Sequence, residues 1–365
     1  ERLEAQTGND SMKFNYNGVS QFSSIRNTAS SSTLDRLGFK SEGTNLNLRY
    51  QNNTIIADSL FGIKYNLSNF DLNKYGFNQV TSEKTMGLYQ NNNASQLAIL
   101  TDGIYKNIDF TVNTLDNQTS LLNALSGLNL TYFKRAPSQL FDQDAKSLNQ
   151  RVAKNVSNSN KDFVTITYRV IAPPHSQLYV SVPNISWSDD NNHSLSITVN
   201  GVTRNQVTDN TFDFFDLGYF ETESMVTIKL SFPGNKVISF DNPSFYALDT
   251  QNYQIAMNTI NERDSKVTTS NNKVFVDYSS KTNASLFFTI PYDKGWTATI
   301  NHKKVKIQRA QKGFMKVDVP SGKGKVVLTF IPYGLKTGLL ISLLASIIFC
   351  CYAYFIRKIT VIQKR

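Results

Sequence analysis

The chain has 365 residues, 40% of them hydrophobic, and carries 38 Lys and Arg against 28 Asp and Glu, a formal net charge of +10 with a pI near 9.3. That length is enough for two or more domains with real cores, and the basic balance favours anionic partners: nucleic acid, lipid headgroups or anionic polymers. The two cysteines, Cys350 and Cys351, are adjacent and sit inside an apolar run, which excludes a disulfide framework elsewhere in the chain.

From Glu1 to about residue 140 the pattern is mixed and predicts an α+β domain. Asn45–Arg49 alternates as a strand, and Thr54–Tyr65 reads as a strand or a helix-to-strand segment around DSLFGIKY. Met86–Asn91 and Gln96–Thr101 are short strand-type runs. Gln118 to Leu128 has helical spacing, with Leu121, Leu122, Leu125 and Leu128 on one face. Ser138 to Lys161 is polar and reads as a connection.

The period then changes to two, and residues 141–333 predict an antiparallel, jelly-roll-like β-sandwich region. Its strands are Asp162–Ile171, Leu178–Pro183, Leu195–Val199 followed by the turn Asn200-Gly201, Thr211–Leu217, Met225–Phe232 and Phe245–Leu248. One helical insertion falls near 252–263. Strands resume at Lys273–Tyr278, Ala284–Pro291, Thr297–Asn301, Lys304–Ala310, Phe314–Val319 and Lys325–Phe330, with Ser321–Lys325 reading as a hairpin turn.

Gly338 to Ile356 then runs without a charge, ~28 Å as a helix, close to the hydrocarbon core of a bilayer. Residues 334–357 are therefore expected to span a membrane. Arg357, Lys358, Lys364 and Arg365 follow, so the tail 358–365 is expected in the cytoplasm and everything before the helix outside the cell. The chain begins with Glu1 and shows no signal peptide, which suggests a piece of a larger membrane protein that follows an earlier span. A cysteine-free exterior is unusual for an animal secreted protein and ordinary for an exported protein of a Gram-positive bacterium.

Several residues could carry chemistry. Tyr292 and Trp296 flank Gly295 at a strand boundary, where an exposed aromatic face can stack on a sugar ring; packing of Trp296 into the sandwich is the plainer alternative. Gly295 itself calls for positive φ or a close backbone approach. Lys294, Lys303, Lys304, Lys306, Arg309, Lys312, Lys316, Lys323 and Lys325 form a basic run just before the membrane, with Asp318 among them. Lys303, Lys304, Lys306 and Arg309 are its candidate anionic-surface contacts, at ~1 kcal/mol per cation near an anionic surface; a solvated strand face is the alternative. Asp213, Asp216, Glu221 and Glu223 are the densest acidic group, and Asp189-Asp-Asn-Asn192 is a calcium-loop or turn candidate. The three histidines, His175, His193 and His302, lack metal spacing, and no cofactor motif is evident. Zinc-finger spacing, an RNP signature and an Arg-rich arm are missing too, so nucleic acid is not an expected partner.

Two elements near the N-terminus, Gly18-Val-Ser-Gln-Phe-Ser-Ser24 and Asp58-Ser-Leu-Phe-Gly-Ile-Lys-Tyr65, resemble those of the YfhO family of bacterial multi-spanning membrane proteins. So does the ordered series Pro291-Tyr-Asp-Lys-Gly-Trp296, Gly313-Phe314, Val319-Pro-Ser-Gly322, Thr329-Phe-Ile-Pro332 and Gly334-Leu335. The resemblance implies a membrane glycosyltransferase of the C type. Such an enzyme takes a sugar, N-acetylglucosamine being one expected, from a polyprenyl-phosphate carrier and decorates lipoteichoic acid or another wall polymer. The catalytic acid is expected on an early outer loop upstream of Glu1, so none of the catalytic residues is expected here. The expected partners are the lipid bilayer, an upstream transmembrane domain of the same protein, the carrier-linked sugar and the anionic polymer. Lys64 and Tyr65 end an apolar segment; Lys64 could offset a phosphate charge in a cleft facing the membrane domain, or pack its stem on Tyr65. A non-catalytic, membrane-tethered wall-binding or structural module is the alternative, and the sequence upstream of Glu1 separates the two.

Overall fold

A computed structural model describes residues 9–23, 27–41, 47–50, 53–143, 146–149, 152–154, 163–183, 185–187, 193–208, 214–233 and 238–362. Hydrophobic side chains gather into three clusters: a hub of helices and short strands, and two β-sandwiches docked on it.

The hub begins with α1 (Thr28–Asp35) and α2 (Ile55–Leu60). A small sheet of β1 (Tyr65–Ser68), β2 (Phe77–Glu83) and β3 (Met86–Asn91) follows, with β3 in the middle. The chain then passes through β4 (Ala98–Leu100) to α3 (Thr114–Ser126). Asn113 caps α3 by accepting from Leu115 and Asp116, and Gly127 ends it in the left-handed conformation at φ 79°. Leu121, Leu122 and Leu125 of its apolar face are fully buried. The helix begins four residues before the leucine pattern because the cap sits at Asn113. The helix-to-strand reading of Thr54–Tyr65 is the one observed, with Thr54 capping α2.

The first sandwich is built from β5 (Phe133–Arg135), β6 (Ser138–Gln143), β7 (Phe163–Ala172), β8 (Ser176–Ser181), β9 (His193–Val199), β10 (Val202–Thr208), β11 (Phe214–Phe220), β12 (Ser224–Pro233) and β13 (Ser244–Asp249). One sheet runs β10-β9-β12-β7-β6 and the other β11-β8-β13-β5. Ser138–Lys161, read as a connection, thus opens with a strand whose main chain completes the edge of a sheet that its polar side chains do not advertise. Asp249 caps α4 (Thr250–Asn261), the predicted insertion, which turns Tyr253, Ala256, Met257 and Ile260 into the hub core.

The second sandwich follows α4: β14 (Ser265–Ser270), β15 (Lys273–Ser280), β16 (Ala284–Phe288), β17 (Trp296–Ile300), β18 (Lys303–Val305), β19 (Gln308–Ala310), β20 (Phe314–Val319) and β21 (Gly322–Phe330). Its sheets run β14-β15-β21-β17-β18 and β19-β20-β16-β4. Two sequence readings change here. The single strand read at Lys304–Ala310 is two strands in opposite sheets, and Gly322, placed in a turn, already opens β21.

The two sandwiches share one strand order. Counted along the chain from the edge strands β6 and β14, the last strand of each five-stranded sheet (β12, β21) lies between the second (β7, β15) and the fourth (β9, β17), and the third (β8, β16) crosses to the other sheet. The registers agree: Leu230 lies between Ile166 and Ile197, and Leu328 between Val274 and Ala298. Segments 166–183 and 274–291 correspond without a gap, through the buried Leu178 and Leu286 to Pro183 and Pro291. Even the hairpin pins match. Asn200 and Asn301 take positive φ (47° and 46°), and their Oδ1 atoms accept from Thr227 N at 3.1 Å and Lys325 N at 2.9 Å.

Side chains lock both sandwiches to the hub. Ile55 N donates to Tyr179 Oη at 3.1 Å, and Tyr75 N to Gln177 Oε1 at 2.9 Å. On the other side the buried Gln311, in the β19–β20 hairpin, accepts from Tyr105 Oη at 2.9 Å and donates to Ile108 O at 2.9 Å. At the centre Lys74 Nζ donates to Asp58 Oδ2 and, at 3.0 Å, to Asn53 O; Tyr50 Oη donates to Asp58 Oδ1 at 2.8 Å. Both ions are wholly buried. Asp216 lies in the same electrostatic neighbourhood, also buried, with Oδ1 accepting from Gln177 and Gly218.

Two outcomes follow for this centre. Lys74→Met leaves the buried carboxylates without their cation and should lower stability by ~3–5 kcal/mol in chemical unfolding, while Asp58→Leu/Lys74→Met should cost less than Lys74→Met alone. Burial pushes the Asp58 carboxyl up from 3.8 to about 6, against the pull of Lys74. Between those values the folded chain holds a proton that the unfolded chain has lost. The Asp58 contribution is therefore full below pH 3.8, declines as pH rises through about 6 and is level above. Asp58→Asn should remove that part of the slope in unfolding measured across the window.

Candidate functional site

The β16–β17 loop, Thr289 to Gly295, faces the foot of the apolar helix α5 (Leu335–Ile362) and opens a cleft of about 230 Å³. Tyr292, Trp296, Lys294 and Lys304 supply its aromatic and cationic walls, with Asp293 and Thr297 between them. Trp296 is half-buried, its ring 5.0 Å from that of Phe330 across the β17–β21 pair, so the residue both packs and lines the cleft. Arg309 stacks its guanidinium 4.5 Å from the centre of the Tyr292 ring, from the neighbouring sheet. Lys294 places Nζ 5.6 Å from the centre of the Tyr333 ring, two residues before α5.

Backbone bonds fix the loop. Asp293 Oδ1 accepts from Gly295 N at 2.6 Å, Tyr292 N donates to Gly313 O at 2.9 Å, and Ile331 N donates to Gly295 O at 3.0 Å. Gly295 answers to close approach rather than to positive φ: a Cβ there would lie 2.3 Å from Ile331 O. Asn27 adds a tie from the hub, capping α1 with Oδ1 while its Nδ2 donates to Tyr292 O at 2.6 Å. Sequence reading did not single out Asn27; an Asn directly before Thr-Ala-Ser-Ser is its capping signal.

The structure thus brings Tyr292, Trp296 and Lys304 to one cleft and stacks Arg309 on Tyr292. Lys303 and Lys306 are exposed, beside Lys304 on and just after β18. One member of the basic run is withdrawn from the surface and another, still exposed, is paired with a carboxylate. Lys316 is buried and donates to Tyr105 O and Asp318 Oδ1, both at 2.9 Å, and Lys325 lies 3.6 Å from Asp277. Three hydrogen bonds and the nearby Lys316 charge hold the Asp318 carboxyl below its usual range against the opposing effect of burial. Lys64 and Tyr65 stand apart from the cleft, at the start of β1; both are exposed, with Lys64 Nζ 5.7 Å from the Tyr65 ring centre.

The acidic group does not form a catalytic pair among the described residues. Asp216 is buried in the hub joint, Glu221 is exposed and 3.3 Å from His175, and Asp213 and Asp189–Asn192 lie outside the described residues. No His, Cys, Asp and Glu group suited to a metal occurs among the described residues. The cleft can therefore hold a ligand between aromatic faces and ammonium groups, and Asp293 is the one carboxylate among its lining residues. The helix α5 is exposed from Leu335 to Arg357, and that stretch has mean hydropathy 2.4, as a membrane span requires.

The family model described as bacterial membrane protein YfhO matches residues 1–342. The uncharacterized protein YfhO of Bacillus subtilis (strain 168) is 29% identical over 110 residues, a stretch that spans 29% of this chain and 13% of that protein. Among solved structures, a cycloisomaltooligosaccharide glucanotransferase of Paenibacillus aligns with TM-score 0.20 and 8% identity, over 58% of this chain and 50% of that one. The pilus backbone of Streptococcus pneumoniae aligns with TM-score 0.17 and 11% identity, over 54% and 84%. Likeness at those scores carries no argument.

The loop geometry has a direct test. Gly295→Ala drives a methyl into the Ile331 carbonyl and should destabilise the chain by ~1–3 kcal/mol in thermal unfolding in detergent. The same variant should shift the Trp296 emission to the red as the indole leaves Phe330, read in a Trp187→Phe background.

Proposed function

The chain belongs to the YfhO family of bacterial membrane proteins, and from that premise we propose that it forms an outer-face region and one span of a polytopic glycosyltransferase. The enzyme moves a sugar from a polyprenyl-phosphate carrier to lipoteichoic acid or another wall polymer. The role of this region is to hold the acceptor polymer beside the membrane. The observation that carries the reading is the placement of Trp296, Tyr292, Lys294 and Lys304 in one cleft that touches, through Tyr333, the residues leading into α5.

The chemistry of those walls suits a phosphate-bearing glycan. Aromatic faces stack on the apolar C–H face of a sugar ring. An ammonium group meets a phosphodiester as a compact point charge that adapts to a flexible chain. Exposed Lys303, Lys306 and Arg309 extend the positive surface beyond the cleft. Arg357 and Lys358 after the span favour a cytoplasmic C-terminus and an outer-face cleft. The sugar-transfer chemistry belongs to the transmembrane part of the enzyme in this reading, with the catalytic acid on a loop outside this chain.

Binding tests it. The full chain in nanodiscs of neutral lipid should bind polyglycerol-phosphate lipoteichoic acid and lose that binding as salt is raised. Changing Lys303, Lys304, Lys306 and Arg309 together to Gln should weaken it by about tenfold or more, and Trp296→Phe/Tyr292→Ala should weaken it while preserving the salt dependence. Lys64→Gln should leave it unchanged. A parent chain without salt-sensitive binding, or a quadruple variant that binds like the parent, would overturn the proposal.

A further inference from the structure

We propose that residues 9–23 form a second, interfacial membrane contact, in which Met12, Phe14 and Phe22 enter the bilayer surface beside α5. These three large apolar side chains lie within eleven residues of chain, and they are 76%, 62% and 46% exposed. The segment holding them is ordered. A helical turn at Asp10–Lys13 is closed by Phe14 N donating to Asp10 O at 2.9 Å. Asn9 Oδ1 accepts from Phe22 N at 2.9 Å, and Gln21–Phe22 pairs with Asn47–Arg49. Tyr50 N donates to Ser20 Oγ at 3.0 Å, which fastens the segment to the hub. A fixed backbone therefore presents the three side chains outward. Each forgoes ~1.5–3 kcal/mol of burial that a covering apolar phase would supply.

Position and charge identify that phase as lipid. Phe22 precedes Asn27 by five residues, at most ~17 Å of chain. Asn27 bonds directly to Tyr292 O, and Lys294, two residues on, meets Tyr333 at the entry to α5. The apolar segment is thus linked by a short length of chain to the loop that meets the exposed Tyr333, beside the exposed Leu335. Lys13 Nζ lies 5.2 Å from the centre of the Phe14 ring, so a cation accompanies the apolar group. A bilayer interface accepts that pairing: apolar side chains settle ~5–10 Å into the headgroup and acyl boundary while lysines meet lipid phosphates. A second copy of this equally basic chain would bring like charge to Lys13.

Lipid-depth quenching tests the contact on the full chain in vesicles of phosphatidylglycerol and phosphatidylcholine. A fluorophore is placed at Phe14→Cys in a Cys350→Ser/Cys351→Ser background, with Val202→Cys, exposed on the first sandwich, as the reference. A quencher carried on the lipid acyl chain should reduce emission at position 14 at least about twofold more than at position 202, and aqueous iodide should show the reverse order. Adding Met12→Ser and Phe22→Ser should bring position 14 towards the reference. Iodide quenching at position 14 equal to that at 202 would overturn the proposal. So would shielding of position 14 from both quenchers, the outcome if a protein surface covers the patch.

Discussion

The buried Lys74 cation is the constraint on which the arrangement turns. It stands among the Asp58 carboxylate, the Asn53 carbonyl and Tyr50, with the Asp216 carboxylate close enough to feel its charge. Removing these charges from water costs several kcal/mol per ion, and the raised Asp58 carboxyl shows that Lys74 returns only part of that cost. What the cluster supplies is position. Asp58 belongs to α2, Lys74 to the loop before β2, and Asp216 to the first sandwich. An arrangement that separated these three elements would strand a charge. The adjoining uncharged bonds, Ile55 to Tyr179 and Tyr75 to Gln177, then set the register of hub against sandwich.

The shared strand order of the two sandwiches shows what each has specialised. Both use the third strand to reach into the hub, Tyr179 from β8 and Phe287 from β16. They differ at the loop that follows it. In the second sandwich this loop is the short Thr289–Gly295 connection that carries the cleft; its counterpart begins at Val182 and runs to β9 at His193. A compact loop held by Asp293 and Gly313 keeps Tyr292 in place, and the hub contributes Asn27. The site is thus a loop feature on a sandwich whose other half is fastened to the hub through Gln311.

Much of this was legible in the chain because burial imposes a period. Strands β3 and β20 match their sequence bounds, and α4 matches to within two residues: β3 and α4 each bury one face of a regular pattern, and β20 is a short apolar run buried almost throughout. The membrane helix is legible for the opposite reason, an apolar surface with no polar face. The polar strands β2, β6 and β14 and the Ser-rich helix α1 left no such trace, because main-chain pairing or capping holds them. The candidate site was legible in part. Tyr292 and Trp296 flank one glycine, at the end of a loop and the start of the next strand, and the basic run gave Lys304. The sequence could not separate Lys316 from its neighbours, because its burial depends on Tyr105, 211 residues away, as well as on Asp318 of its own strand. Nor could it join Asn27 to Tyr292, which lie 265 residues apart.

Gly295 couples the packing and binding readings of this loop. Its carbonyl accepts from Ile331 N, in the link from β21 to the membrane helix, and the approach is too close for any side chain. The link is only four residues long, Ile331 to Gly334, and ends in a glycine at φ 88°. Trp296, next to Gly295, is consequently held at a fixed distance from the point where the chain enters the bilayer. Packing of Trp296 on Phe330 and display of its free face to a ligand are then two consequences of one backbone contact. An aromatic platform on a long, mobile loop could offer the same ring, but at many heights. Here the bond between Gly295 and Ile331 makes the height of the ring above the apolar helix a property of the fold.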